Sequence, residues 1–449
     1  MERVQDGNPK ITRRTFLKGV LVGSAASLAG VSFWPSFSFA QQPIKIGVSL
    51  PLTGDFAIAG RKHRDGYLLW AKLINKDRKR WLLGRPVEII VQDNRSDTEV
   101  AVAQTERFIN VDRVDLLLGT FSSKINFSTS AIAEQNQMVY PIPSGGALRI
   151  WERGYRYIFY FQQNAVEYIG ETPVQMLVGY RNLGVIKPGD FPKTAGVVHA
   201  DELFGNAIAT GLMGEKVRIP GTDRVIDLAP GFLKKAGIEV VFRQKYPEGF
   251  TDWLTLANTI KSKNPEFLLA ATASPDEAIQ LVRALQTVGY QPKALYMSQG
   301  TQIEFKEALG NAAEGIFIHS SWHPVVQYVG LLAGERYSNQ QFIEDFRKEY
   351  GRDPDEDEAI PFAVCQGIEQ AVRAMDTTNN QRLRAWLATR TKDNPVRTIL
   401  GNFYWDKRGL PIGRFYLMQQ WQRGKLEFIW PLGEFPGTKR LIYPKPRWR

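Results

Sequence analysis

Histidine and serine are the residues of this sequence that could support acid–base or nucleophilic chemistry, but their spacing does not favour it. The four histidines are His63, His199, His319 and His323. None of them belongs to an H-E-x-x-H motif or a comparable metal-binding pattern. Serine stands beside histidine in the stretch SSWH at 320–323, yet no G-x-S-x-G nucleophile elbow occurs. The sequence therefore indicates no reaction, no metal and no cofactor, and it predicts that the protein is not an enzyme.

The stretch KIGVSLPLTGDFAIAG at 45–60 has the order of elements that begins a dinucleotide-binding domain. An apolar strand is followed by a loop with two glycines, Gly54 and Gly60, and then by a helical pattern. Five residues separate these glycines, whereas a phosphate-binding turn has the spacing G-x-G-x-x-G. No Walker sequence occurs elsewhere. The loop is therefore not predicted to hold a pyrophosphate.

The sequence GTFSSK is a stronger candidate for ligand binding, because Gly119 ends a predicted strand and Ser122 and Ser123 precede a predicted helix. The first amides of a helix have no partner within it and carry partial positive charge. A ligand carboxylate could bind these amides together with a serine hydroxyl. The alternative is that a serine only caps its own helix, and two adjacent serines can fill both roles.

Strand and helix patterns alternate around these loops, which is typical of parallel α/β sheets. The predicted strands are 44–50, 87–92, 115–119, 138–143 and 157–161 in a first series, and 195–199, 239–243, 267–271, 294–297 and 315–319 in a second. Ligands of such sheets bind outside the carboxyl ends of the strands. Two sheet edges that face each other would therefore form one cleft.

The first forty residues predict export. The stretch TRRTFLK at 12–18 precedes a weakly apolar segment at 19–31, and SFA at 38–40 fits the site that signal peptidase cleaves. Paired arginines are typical of a twin-arginine signal, although an ordinary secretory signal is the alternative. We therefore interpret 1–40 as a twin-arginine-type signal peptide and expect the mature protein in the periplasm.

Composition and charge exclude other classes of protein. The chain has 449 residues, of which 43% are hydrophobic, and a formal net charge of +11. The densest basic groups, at 76–80 and 439–449, are predicted to be solvated surface, so we expect no nucleic-acid partner. The single cysteine, Cys365, lies far from the signal, which excludes a lipid-modified cysteine at the cleavage site. The prediction is a soluble exported protein and not a lipoprotein.

Four stretches of the chain resemble one known family. They are IKIGVSLPLTGDFAIAG, VQDNRSDTEVAVAQTERFI, VDLLLGTFSSKINFSTSAIAEQNQMVYPIPSGG and TILGNFYWDKRG. Their order and spacing are similar to those of the Leu/Ile/Val-binding type of periplasmic substrate-binding protein, which serves ABC importers of the branched-chain amino acid type. The similarity extends from about residue 43 to about residue 431.

The resemblance implies the α/β fold of the type I periplasmic binding proteins, in which a three-strand hinge joins two Rossmann-like lobes. Lobe one would comprise 43–163 and 322–397, and lobe two 164–321 and 398–431, followed by a basic tail at 432–449. The implied function is to trap a small ligand between closing lobes and deliver it to ABC permease subunits in the inner membrane. A monomer without a cofactor is expected.

The resemblance also assigns ligand-binding residues in lobe one. In the family, the serine that matches Ser123 binds the ligand carboxylate, and Ser122 lies beside it. The family offers backbone groups and a hydroxyl to the ligand where this chain has Ser144, Gly145 and Gly146. The two glycines would let the main chain approach a ligand closely, or they simply form a turn.

Lobe two departs from the family pattern. Amino-acid binders usually carry an acidic residue where this sequence has Gln299, and a neutral amide cannot neutralise a buried ammonium group. Phe204 replaces a ring with a hydroxyl, and Ala273 replaces a large aromatic residue, which predicts a neutral and roomier wall. Asp201 and Glu202 are possible cation partners or helix caps. The predicted ligand is amino-acid-like, or a larger molecule that carries a carboxylate or an amide.

Two alternatives to an importer component remain open. A periplasmic sensor would present its ligand state to a membrane receptor, and an unrecognised exported α/β hydrolase would place a nucleophile in the cleft. Neighbouring genes for an ABC permease would favour import, and a histidine kinase gene would favour sensing. Turnover of a generic ester or amide would favour the hydrolase.

Overall fold

The computed structural model describes residues 41–214, 216–218, 222–227 and 231–448, and the predicted signal peptide at 1–40 lies outside them. Within this part of the chain the strands are β1 (Ile44–Leu50), β2 (Val87–Asp93), β3 (Leu116–Leu117), β4 (Tyr140–Ile142), β5 (Ile158–Tyr160), β6 (Thr194–Ala200), β7 (Lys216–Arg218), β8 (Val225–Asp227), β9 (Glu239–Tyr246), β10 (Phe267–Ala271), β11 (Ala294–Met297), β12 (Phe317–Ser320), β13 (Val329–Leu332), β14 (Glu335–Ser338), β15 (Val396–Thr398), β16 (Gly401–Phe403), β17 (Leu417–Gln422) and β18 (Lys425–Trp430). The helices are α1 (Ala57–Asn75), α2 (Thr98–Asn110), α3 (Ser123–Gln135), α4 (Leu148–Trp151), α5 (Glu171–Asn182), α6 (Leu203–Met213), α7 (Phe232–Lys235), α8 (Trp253–Lys263), α9 (Pro275–Thr287), α10 (Ile303–Leu309), α11 (Asn339–Tyr350), α12 (Glu356–Met375) and α13 (Asn380–Ala388). No helix among these described residues is long and apolar enough to cross a membrane.

Strand β1 is the centre of the first sheet, which with its helices is called lobe one below. It pairs in parallel with β2 on one side and β3 on the other. The amide of Gly119, just after β3, donates to the carbonyl oxygen of Pro141 in β4 at 3.0 Å. Strand β4 in turn pairs in parallel with β5. The carboxyl ends of these strands therefore lie along one edge, where the sequence places GTFSSK and SGGA.

Helices α1 and α12 pack closely together in lobe one. A Cβ atom at Gly66 of α1 would lie 2.2 Å from the main-chain oxygen of Glu358, so this approach requires glycine. One turn further along α1, the buried indole of Trp70 donates to Glu369 Oε2 at 3.0 Å. Glu369 also accepts from Arg373 Nε at 2.7 Å. These contacts hold α12 against α1.

The second sheet has seven strands in the order β18-β17-β12-β11-β10-β6-β9, and with its helices it is called lobe two. The strands from β9 to β12 are parallel, whereas β17 and β18 run antiparallel to their neighbours. Strand β10, in the middle of the parallel part, is buried along its whole length. Such a continuous apolar strand is expected where helices cover both faces of a sheet.

The segment 398–413, which the predicted boundaries assign to lobe two, packs with lobe one. Strand β16 pairs with β15. The ring of Trp405 contacts Phe159 and Phe161, and its indole nitrogen donates to the main-chain oxygen of Tyr160 at 2.7 Å. The alternating pattern of this segment indicated strands, but alternation does not say which of two cores a strand faces.

The basic tail folds back on lobe two over its described residues, 432–448, although its basic group at 439–449 is predicted to be solvated surface. The amide of Ile442 donates to Gln420 Oε1 at 2.9 Å. The indole of Trp448 donates to the main-chain oxygen of Tyr290 at 2.5 Å. Apolar side chains between the basic residues of the tail therefore give it a packed position, which net charge alone did not reveal.

Candidate ligand-binding site

A cleft lies where the carboxyl-terminal edges of the two sheets meet. Lobe one contributes the loop before α1, the start of α3 and the loop after β4. Lobe two contributes the residues that follow β6, β10 and β11, and the first turn of α12 completes the lining. Three phenylalanines, Phe56, Phe121 and Phe204, supply apolar surface. The predicted meeting of two sheet edges is therefore present as one shared cavity.

Six of the nine predicted site residues line this cleft. They are Ser122, Ser144 and Gly145 from lobe one, and Phe204, Ala273 and Gln299 from lobe two. The three others are not among the lining residues, and they are Ser123, Gly146 and Asp201. The ligand contacts of all nine residues remain predictions.

Ser122 is the serine that reaches the cleft, and it also caps α3. Its Oγ accepts from the amide of Ile125 at 3.3 Å. Its φ of +80° is a backbone conformation that residues other than glycine rarely adopt, and such strain is concentrated at functional sites. Ser123 is fully buried, and within the described residues its Oγ has no hydrogen-bond partner. Ser122, which faces the cavity, is therefore the serine that caps α3.

Gly146 and Asp201 make contacts within the protein. The amide of Gly146 donates to Tyr160 Oη at 3.1 Å, and its carbonyl oxygen accepts from the amide of Val166 at 3.1 Å. Asp201 is exposed, and its carboxylate lies 2.8 Å from Lys245 Nζ. The main chain of Gly146 is held by contacts within lobe one, and the side chain of Asp201 forms a surface ion pair.

The hydroxyl of Ser144 belongs to a hydrogen-bonded chain behind the cleft wall. His63 Nδ1 donates to the main-chain oxygen of Ala59 at 3.0 Å. Because burial lowers the pKa of His63 to about 4, the ring is neutral and its Nε2 accepts from Ser144 Oγ at 2.9 Å. Gln162 Nε2 donates to the same oxygen at 3.2 Å. In this arrangement the Ser144 hydroxyl forms its hydrogen bonds within the protein.

Gly145 brings the loop after β4 into contact with the start of α3. Its φ is +72°, and an added Cβ atom would lie 2.3 Å from Ser123 N and 2.4 Å from the carbonyl carbon of Ser122. No side chain fits in that space. The loop and the helix start therefore form one continuous wall of the cleft.

We expect Gly145→Ala to weaken ligand binding at least about tenfold, because the loop must move away from α3 and disturb Ser122. Gly154→Ala is the matched control, since Gly154 has a φ of +78° but nothing within 4 Å of the added methyl group. The control should cost about 1 kcal/mol of stability without changing affinity. Calorimetric titration of each variant with the co-purified ligand measures the difference. Equal losses of affinity in the two variants would contradict a role in binding for the contact between Gly145 and the start of α3.

Three carboxyl groups line the cleft, and they are those of Glu202, Glu356 and Asp357. Glu202 caps α6 by accepting from the amides of Phe204 at 2.8 Å and Gly205 at 2.6 Å. The other two belong to the first turn of α12. Burial raises the pKa of Glu202 and Glu356 to about 7, and it raises that of Asp357 well above its ordinary value. The lining therefore includes three acidic side chains beside the neutral Gln299, and their raised pKa values favour the uncharged acid.

The two lobes touch each other at the margins of the cleft. Lys124 Nζ of α3 lies 2.9 Å from Glu248 of lobe two. Lys62 Nζ of α1 lies 3.2 Å from Glu304 of α10.

Three curated proteins are similar to the chain along most of its length. An amino acid binding protein of Pseudomonas aeruginosa is 24% identical over 424 residues, which cover 92% of this chain and 99% of that protein. The leucine-, isoleucine-, valine-, threonine- and alanine-binding protein of the same organism is 24% identical over 397 residues, or 86% and 91% of the two chains. Leu/Ile/Val-binding protein homolog 7 of Brucella suis is 22% identical over 414 residues, or 92% and 96%.

Solved structures confirm the predicted fold, that of the type I periplasmic binding proteins. The branched-chain amino acid transporter substrate-binding protein LivJ of Streptococcus pneumoniae, in complex with isoleucine, has a TM-score of 0.70 and 18% identity, covering 87% of this chain and 100% of LivJ. A solute-binding protein of an ABC transporter from R. palustris, in complex with benzoate, has a TM-score of 0.68 and 20% identity, covering 89% and 99%. The family model described as periplasmic binding protein matches residues 43–214 and 217–425, and the chain therefore belongs to the periplasmic binding protein family.

Proposed function

We propose that this protein is the exported solute-binding component of an ABC importer. It binds a small amino-acid-like molecule, or one that bears a carboxylate or an amide, between its two lobes. The closed form with its ligand is then recognised by permease subunits in the inner membrane. The observation that carries the proposal is the cleft itself, whose walls come from the carboxyl-terminal edges of two separate sheets.

The start of α3 supports an anionic or polar group of the ligand in this proposal. Ser122 holds the first turn of the helix at the cleft wall, and helix amides attract negative charge. The relatives named above bind amino acids, and one structural neighbour binds benzoate. Those ligands share a carboxylate, so a carboxylate at α3 is the element that we carry over to this chain.

Buried histidines support binding without chemistry. His319 lines the cleft, where its Nδ1 lies 2.8 Å from Tyr296 Oη, and burial lowers its pKa to about 3. His63 behind the wall is held neutral in the same way. A general base works best with a pKa near the ambient pH, which neither ring has. These two histidines are therefore not suited to act as general bases, and membership of a binding-protein family favours a monomer that binds solute without a cofactor.

Native mass spectrometry of protein purified from its own host tests the proposal. We expect one small molecule to be released on denaturation. Added back at about 100 times its dissociation constant, it should raise the melting temperature by about 3 °C, because binding to the folded state alone stabilises by about 2.7 kcal/mol. Ligand-loaded protein should also capture ABC permease subunits from solubilised inner membrane, with ligand-free protein as the control.

Absence of any released molecule, together with no thermal shift from amino acids, amides and small organic acids, would refute ligand binding. Capture of a receptor kinase in place of a permease would refute the importer role and favour a sensor. Each result concerns a separate part of the proposal.

A further inference from the structure

A second cavity adjoins the cleft at Glu356 and is called the side cavity below. Its volume is about 610 Å³, which lies in the range of small-molecule sites. Lobe one contributes Lys62 of α1 and the segment before α12, and lobe two contributes the start of α10 and the turn between β17 and β18. Among the described residues, Glu356 alone belongs to the linings of both cavities. The side cavity is therefore distinct from the cleft.

Apolar side chains supply most of the surface of the side cavity. Trp421 of β17 pairs with Leu426 of β18, and cross-strand partners lie on the same face of a sheet. Both residues line the cavity, together with Trp322, Ile303 and two prolines. Ile303 is 50% exposed, so the apolar surface is accessible from solvent. A surface of this composition suits the aromatic body of a small ligand.

Gln419 places a free hydrogen-bond acceptor in this apolar surrounding. It stands two residues before Trp421 on β17, so it shares that face of the strand, and it is 2% exposed. Its Nε2 donates to the main-chain oxygen of Trp322 at 2.7 Å, which fixes the orientation of the amide. Within the described part of the chain its Oε1 forms no hydrogen bond. A buried amide oxygen of this kind calls for a donor from outside the protein.

The other buried polar side chains of the side cavity already have partners. His323 Nε2 donates to a main-chain oxygen at 3.1 Å, and its Nδ1 accepts from a main-chain amide at 3.2 Å. The hydroxyl groups of Ser320 and Thr301 each lie 2.9 Å from a carboxyl oxygen of Glu356. Lys62 Nζ lies 2.5 and 3.2 Å from two carboxylates. The Gln419 oxygen is therefore the buried polar atom that is left for a ligand.

Lys425, at the start of β18, adds a positive charge to the lining. It is exposed, and no carboxylate of the described residues forms an ion pair with it. The two other cations of the lining, Lys62 and Arg352, lie 2.5 and 2.6 Å from carboxylate oxygens. An anionic group on a ligand would therefore be attracted to Lys425. Because exposed ion pairs are weak, this contact should contribute less than the hydrogen bond to Gln419.

We propose that the side cavity is a second ligand-binding site, which takes a small aromatic anion that carries a hydroxyl or N–H donor. The donor binds Gln419 Oε1, the ring lies against Trp421 and Leu426, and the anionic group faces Lys425. A ligand without the donor would displace water from the Gln419 oxygen and leave it unpaired, which lowers the affinity. The site lies outside the cleft, so the proposal does not depend on the molecule that the cleft binds.

A pair of phenylacetates that differ in one donor tests the proposal. The hydroxyl of para-hydroxyphenylacetate and the methyl group of para-methylphenylacetate have similar sizes, but only the hydroxyl donates a hydrogen bond. Each is titrated calorimetrically into ligand-free Ala273→Trp, in which an indole fills the cleft, and into wild type saturated with its co-purified molecule. We expect the hydroxyl compound to bind at least about tenfold more tightly in both. The neutral para-hydroxyphenylacetamide should bind about threefold more weakly than para-hydroxyphenylacetate.

Two variants with matched controls connect this binding to the side cavity. Gln419→Leu should reduce the ratio of the two affinities to about one, because the acceptor is lost. Gln340→Leu, which alters an exposed glutamine of α11, should leave the ratio unchanged. Ile303→Trp places an indole in the cavity and should abolish binding of all three probes. Leu254→Trp is its control, because Leu254 is 49% exposed on α8 and lines neither cavity.

Equal binding of the two phenylacetates, no binding of any probe at about 10 mM, or undiminished binding to Ile303→Trp would overturn the inference. So would an unchanged ratio in a Gln419→Leu variant that retains the wild-type circular dichroism spectrum. These results leave the proposed function intact, because the molecule released from wild type and its thermal shift test the cleft separately.

Discussion

Replacing Ala273 with tryptophan is expected to abolish ligand binding while leaving the fold intact. Ala273 follows β10 and lines the cleft together with Gln299. An indole at this position fills the space that the ligand needs. The affinity should fall at least about 100-fold, which corresponds to about 2.7 kcal/mol. The thermal shift caused by the co-purified ligand should disappear.

The matched control is Ala388→Trp, because Ala388 is exposed at the end of α13, outside the cleft lining. It should bind ligand with wild-type affinity. The melting temperature of ligand-free Ala273→Trp, compared with that of ligand-free wild type, reveals whether the fold has survived. Undiminished affinity in a folded Ala273→Trp variant would exclude this cleft as the binding site.

Trp70→Ala should produce the largest loss of stability. The side chain is 1% exposed between α1 and α12, and its truncation leaves a cavity in the lobe-one core. Replacement of a buried tryptophan by alanine typically costs about 3–5 kcal/mol. The variant also removes the indole donor from Glu369, which is 1% exposed. Urea denaturation followed by circular dichroism measures the decrease in the unfolding midpoint.

Two further variants separate packing from hydrogen bonding at this position. Trp70→Phe keeps most of the apolar volume and should lose only about 1–3 kcal/mol, because one donor to a buried carboxylate is missing. Trp386→Ala removes a half-buried indole that stacks on Arg390, and it should cost less than Trp70→Ala. A Trp70→Ala midpoint within error of wild type would show that α1 and α12 do not depend on this contact.

The strands that build the cleft were predictable because a buried parallel strand has a local signature. The predicted segments 44–50, 267–271 and 294–297 coincide with β1, β10 and β11. Each is a short apolar run between helical patterns, which the burial of both sheet faces requires. The loops at the carboxyl ends of these strands follow from the same pattern, and for this reason six of nine site residues could be placed on the cleft.

The carboxyl groups of α12 could not be placed in the same way. Four consecutive acids at 355–358 are visible in the sequence, but such a run ordinarily stabilises the positive end of a helix dipole. Their position at the cleft depends on the close packing of α12 against Gly66 of α1, almost 300 residues away in the chain. The position of the Ser144 hydroxyl likewise depends on its hydrogen bond with His63, which lies 81 residues away in the chain. Long-range packing of this kind leaves no local pattern.

A crystal structure of the protein with its co-purified molecule tests the central claim most directly. The predicted result is one small molecule enclosed between Ser122 and Gln299, with both lobes in contact with it. A molecule bound at any other surface, or one touched by a single lobe, would contradict the two-lobed cleft as the site of function.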